Sequence, residues 1–141
     1  MKFLVTIFFL INSITVTDQP HVKSVSLLEL KSFNNVPDDL DGCTSSLYST
    51  IINRTKQIGY LFFTDYKVAV ILVNGKLERL KIEGNYQWEK QVYKNNQYRV
   101  IFAPLKRKDQ AGEYYTMDAV LTVEMGSKIV YRRILPGDGG C

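Results

Sequence analysis

Two apolar runs joined by Asn74-Gly75 constrain this chain more than any other feature of its sequence. In the first run, residues 67–73, Val68, Val70 and Leu72 fall on one face and Ala69, Ile71 and Val73 on the other. A strand that is apolar on both faces has to be covered on both sides. Asn-Gly between apolar runs marks a two-residue turn of type I′, which needs positive φ twice and so favours Asn followed by Gly. Residues 76–82 then form the return strand. A helix-period fold is excluded here, and an antiparallel pair at the centre of a sheet is predicted.

The rest of the chain repeats the theme. Residues 58–64 are a short aromatic and β-branched run, and Tyr86, Trp88 and Val92 mark a further strand at period two. Asn95-Asn96 is a turn, leading into Tyr98, Val100 and Phe102, with Pro104 near that strand's end. The cleanest alternation follows: Tyr115, Met117, Ala119, Leu121 and Val123 face one way, and Thr116, Asp118, Thr122 and Glu124 the other. Gly126-Ser127 turns the chain into a closing strand over 128–135. Residues 106–112 read as a charged turn, with Lys106-Arg107-Lys108 as a solvated hairpin tip, and 136–141 as a loop. Before residue 58 the pattern is weaker: 22–33 suits a strand or a short helix, and 34–42 a loop. Short strands with turns every 8 to 12 residues predict an all-β protein, a single antiparallel β-barrel or sandwich of about seven to eight strands.

The first residues read as a secretory signal peptide: Lys2, then a nine-residue, almost wholly apolar run from Phe3 to Ile11, too short for the roughly 20 residues of a membrane span. Ser13-Ile14-Thr15 and Thr15-Val16-Thr17 are the small-x-small cleavage candidates. The expected layout is a signal peptide over 1–17 and one β-domain over 18–141, secreted or periplasmic, with no stable membrane insertion after cleavage. The net charge of +4 is mild, and the basic residues are dispersed, which argues against a nucleic-acid partner.

Chemistry-bearing motifs are sparse. A single His, His21, excludes Ser-His-Asp triads and HExxH zinc sites, and no GxxxxGK[ST] or GxGxxG string is present. Asp38, Asp39 and Asp41 beside Gly42 offer oxygen ligands to calcium but lack EF-hand spacing, so a polar turn is the favoured reading. Glu78, Glu89, Glu113 and Asp118 include no pair that spacing brings together for hydrolysis of sugars. Arg132 and Arg133 alternate faces on a strand, and Asn53-Arg54-Thr55 is a glycosylation sequon only in a eukaryotic host. The expectation is no catalytic residue, no cofactor and no metal. Cys43 and Cys141 are the two cysteines, both beside Gly, and an even count in an exported domain favours a disulfide between them; two free thiols or an intermolecular bond are the alternatives.

The strings Val36-Pro37-Asp38-Asp39-Leu40-Asp41-Gly42-Cys43, Val70 to Leu77 and Gly139-Gly140-Cys141 resemble small exported β-proteins of Gram-negative bacteria. Ser45 stands where that pattern carries a further Cys. More distantly, the hairpin with Asn-Gly-Lys is similar to that of the C-type lysozyme inhibitor barrels, although their reactive-loop motif has no counterpart here. Taken together, these readings predict an exported, non-enzymatic binding or envelope-associated domain whose partner is a protein or envelope component. The alternatives are a barrel holding a small apolar ligand and a carboxylate-based hydrolase of envelope sugars.

Overall fold

The computed structural model describes residues 21–141. The signal-peptide assignment falls on residues 1–17, outside that range. The domain is an antiparallel β-barrel closed by eight strands. In chain order these are β3 (Thr44–Tyr48), β4 (Tyr60–Thr64), β5 (Val68–Val73), β6 (Lys76–Ile82), β7 (Gln91–Lys94), β8 (Arg99–Asp109), β9 (Tyr115–Met125) and β10 (Lys128–Gly140). Each pairs with the next, and β10 closes the ring by pairing with β9 on one edge and β3 on the other. Closure removes the exposed edges that an open meander would leave. Two short strands, β1 (Val25–Ser26) and β2 (Leu30–Lys31), pair with β10 and β5 along edge positions that β3 and β4 leave free, and Leu30 joins the main core. A single turn of helix, α1 (Ile51–Lys56), links β3 to β4 and is capped by Thr50, whose hydroxyl accepts from the Asn53 amide.

Eight strands enclose a space just wide enough to be filled by side chains. Leu47, Phe62, Ile71, Leu80, Tyr93, Val100, Phe102 and Leu121 fill it and are fully buried. Phe62 stacks on Phe102 with ring centroids 5.2 Å apart and meets Tyr93 edge-on at 5.9 Å. Each such side chain contributes about 1.5–3 kcal/mol by leaving water. The second face of β5 is buried as its sequence requires. Val68, Val70 and Leu72 lie outside the ring, under a strap that contributes Phe33, Val36 and Leu40. The strap is pinned by paired Phe33 and Tyr60 backbone bonds and by Arg79 bridging to Asp39.

Several expectations need correction. Residues 22–33 form neither a continuous strand nor a helix but the two short strands β1 and β2. Tyr86 and Trp88 lie in the β6–β7 connection, and the strand begins only at Gln91. Lys106, Arg107 and Lys108 are not a hairpin tip: β8 runs on to Asp109 after a bulge between Pro104 and Lys106. Pro104 is tolerated in a paired strand because that bulge interrupts the ladder. The largest correction is at 136–141. Instead of a loop, Pro136–Gly140 continue β10, and Gly137, Asp138 and Gly139 are paired on both edges.

Glycine in that segment serves close approach, not flexibility. A Cβ at Gly137 would lie 2.5 Å from the Ser46 carbonyl oxygen, and one at Gly139 would lie 2.6 Å from the Thr44 carbonyl and collide with the Tyr115 ring. Only glycine lets β10 pass between β3 and Tyr115. The turn Asn74-Gly75 has φ of 51° and 75°, as a type I′ hairpin needs, and open space surrounds Gly75. Gly75→Val should therefore act through backbone strain alone and lower stability by about 1 kcal/mol in urea unfolding. An unchanged midpoint would contradict the hairpin assignment.

Candidate functional site

Antiparallel closure gathers one set of connections at one end of the barrel. The turn 65–67, the β6–β7 connection 83–90, the β8–β9 tip 110–114, the start of β3 and the end of β10 all lie there. Cys43 and Cys141 are disulfide-bonded at this end, with Cα atoms 4.1 Å apart. Each half-cystine flanks a paired strand, Thr44 of β3 and Gly140 of β10, so the bond ties two strand ends and not two loose segments. Closing a loop of 98 residues stabilises by up to about 4–5 kcal/mol on the chain-entropy view. Reduction, or paired Cys→Ser substitution, should lower the unfolding free energy by about 3–4 kcal/mol. A loss below about 1 kcal/mol in denaturant melts would show that the strand ends are held without the bond.

Beside the disulfide a cleft of about 690 Å³ opens at the barrel mouth, lined by Tyr66, Tyr86, Trp88, Arg107 and Tyr115 among others. The Arg107 guanidinium lies 4.1 Å from the Tyr115 ring centroid and 5.1 Å from that of Trp88, and its Nε donates to Asp109 at 2.6 Å. Trp88 meets Tyr115 edge-on at 5.4 Å, and Tyr86 meets Tyr66 edge-on at 4.9 Å. The β8 extension is what carries Arg107 over these rings.

Behind the rings sits a cluster of three hydroxyls. Ser45 Oγ, Tyr66 Oη and Tyr115 Oη are mutually 2.8 Å apart, and Tyr66 also donates to the Thr44 carbonyl at 3.1 Å. Four contacts share three hydroxyl protons, so one oxygen–oxygen contact in any arrangement carries no proton and the cluster is rich in acceptor oxygen. Burial pushes the Tyr66 phenol well above its ordinary range. Tyr66 holds φ at 69°, costly for a bulky residue. The turn compensates: Asp65 accepts from the Lys67 and Val68 amides, and Thr64 accepts from the Tyr66 amide. Strain concentrated where aromatic side chains are aimed into a cleft is a pattern of binding sites.

A second concavity, about 380 Å³, lies on the outer wall where β10 meets β3. Asp138 stands at its base, 4% exposed, and accepts from Tyr48 Oη at 3.1 and 3.2 Å and from Tyr114 Oη at 3.1 Å. Burial raises the Asp138 carboxyl above its ordinary value, and the two tyrosine donors only partly oppose that. Tyr48 and Tyr60 form a tilted pair at 5.3 Å, and Tyr60 meets Phe63 edge-on at 5.6 Å. Tyr114 and Glu113 border both concavities.

No family model, curated protein or solved structure matches the chain. The site is therefore read from its own residues. Of the groups singled out in the sequence, the structure brings together Cys43 with Cys141 and places Arg107 in the mouth. The others are scattered. Asp39 pairs with Arg79, whose hydrogen bonds hold its carboxyl below the usual range. Glu78 accepts from Asn95 near the opposite end, and Arg132 and Arg133 reach Thr122 and Ser26. Asn53 caps locally, donating to Ser49. Asp138 escaped sequence reasoning because Gly137-Asp138-Gly139 looks like a turn. The missed signal is the Tyr-rich strand content that gives a buried carboxyl its donors.

The raised Asp138 carboxyl sets the sign of a pH dependence. The folded state holds that proton more tightly than the unfolded chain, so this contribution is fully present below the ordinary value of 3.8 and is lost as pH rises through the folded value. The stability of wild type relative to Asp138→Asn should therefore fall as pH rises from 3 upward, measured by urea melts at matched pH. A difference that grows with pH would contradict the assignment.

Proposed function

We propose that this chain is an exported, non-enzymatic binding module, secreted or periplasmic, that holds a protein or envelope component at the disulfide end of its barrel. The observation that carries this reading is the cleft built from Tyr66, Tyr86, Trp88, Arg107 and Tyr115 on strained and bulged backbone. Trp, Tyr and Arg dominate the energetics of binding surfaces because they bury large area with few rotors. A filled interior favours binding at the rim over an apolar ligand inside the ring. Glu78, Glu89, Glu113 and Asp118 share no cleft, which favours binding over hydrolysis of sugars. A disulfide suits an oxidising compartment, and among the described residues no helix is long and apolar enough to cross a membrane.

The reading is tested by capture from an envelope fraction of the native source, with wild type set against a Tyr86→Ala/Arg107→Ala variant. Both side chains are partly exposed and neither belongs to the buried core, so their removal leaves the core intact. Wild type should retain a saturable component that the variant binds at least about tenfold more weakly. Equal capture by both proteins would rule out the mouth as the binding surface. Export itself is checked by the mass of the exported product, expected to begin between Ile14 and Gln19; an intact Met1 would refute it.

A further inference from the structure

The outer groove at Asp138 carries an assignment of its own, separate from the mouth cleft. Its base is a carboxyl group that is 4% exposed and has no Lys or Arg within ion-pair distance among the described residues. Eighteen Lys and Arg against fourteen Asp and Glu make that lack of a partner notable. Arg54 of α1 acts on Asp138 only through space. A buried carboxylate without a cation is costly, and the two tyrosine hydroxyls that donate to it do not supply the missing charge.

The walls suit a cation as well. Tyr48, Tyr60, Phe63 and Tyr114 line the groove together with Glu113 and Gln57. Aromatic faces around a carboxylate form the usual surroundings of a bound ammonium group, which gains from the ring quadrupoles and from charge-assisted hydrogen bonds together. The groove's 380 Å³ falls at the small end of ligand sites, enough for an alkyl stem with its charged head.

We propose that this groove binds a protonated alkylamine, with Asp138 accepting from the ammonium and the Tyr60, Phe63 and Tyr114 rings flanking its alkyl stem. The chemistry is shared by a free small amine and by a lysine side chain of a polypeptide. Asp138 fixes the charge at the base of the groove.

The test uses the whole oxidised domain and follows its amide resonances by NMR. The probes are n-butylammonium chloride, the peptide acetyl-Gly-Lys-Gly-amide and, as neutral controls, n-butanol and the same peptide acetylated on its lysine. Saturable shifts confined to the amides around Asp138, Tyr114 and Gln57 are expected with the two charged probes and not with the neutral ones. Asp138→Asn should weaken the binding at least about tenfold, and Trp88→Ala should leave it unchanged. Tighter binding of the peptide points to a polypeptide lysine; equal binding of both probes points to a small amine. Charged and neutral probes binding alike, or no saturable shift with either charged probe, would overturn the proposal even if Asp138→Asn did not fold. Loss on Trp88→Ala alone would transfer the amine site to the mouth and overturn the assignment to Asp138.

Discussion

The double pairing of β10 is the interaction on which the rest of the structure depends. One strand of thirteen residues runs along almost the whole of β9 and then, over Gly137 to Gly140, also takes β3 as a partner. Without that second ladder the sheet would be an open meander with two edges, and the interior residues Leu47, Phe62 and Leu121 would meet water from one side. Closure depends in turn on small residues. Side chains at Gly137 or Gly139 would force β3 and β10 apart, so the barrel closes only where the chain carries none. The disulfide secures the same seam from its end.

The seam also generates the surface chemistry. Because Gly139 yields its space, the Tyr115 ring can sit against β10 and share hydroxyl contacts with Ser45 and Tyr66. Tyr115 is then the floor on which Trp88 and Arg107 rest. On the opposite face of the same four residues, Asp138 alternates outward and meets Tyr48 and Tyr114. The period of two along a strand thus places a hydroxyl-backed aromatic cleft on one side of the seam and a buried carboxyl on the other. The β8–β9 tip leans over both and contributes Glu113 and Tyr114 to each.

Much of the barrel is legible in the sequence, and the reasons are physical. The two-faced run at β5, the Asn74-Gly75 turn and the alternation of β9 are local signals that tertiary context had no cause to override. The disulfide is the pairing that an even cysteine count favours, over free thiols or an intermolecular bond. What is not legible depends on long-range partners. Residues 136–141 read as a loop because Pro, Gly and Asp are poor strand formers, yet pairing on both edges over Gly137 to Gly139 outweighs that propensity. Likewise β3, with Thr44, Ser45 and Ser46, lacks an apolar pattern because its inward Ser45 is satisfied by tyrosines distant in sequence. Arg107 was hidden by its neighbours: three consecutive basic residues look solvated until a bulge turns one of them over an aromatic pair.

The central claim is that the end of β10 is an integral, rigid stave of the barrel. Native-state hydrogen exchange of the amides from Gly137 to Gly140 tests it most directly. In the oxidised protein the hydrogen-bonded amides of this segment should be protected to nearly the same free energy as those of β9, exchanging only with global unfolding. Exchange close to the rate of an unstructured peptide would contradict the account, because the seam would then be frayed and neither concavity would have a fixed wall.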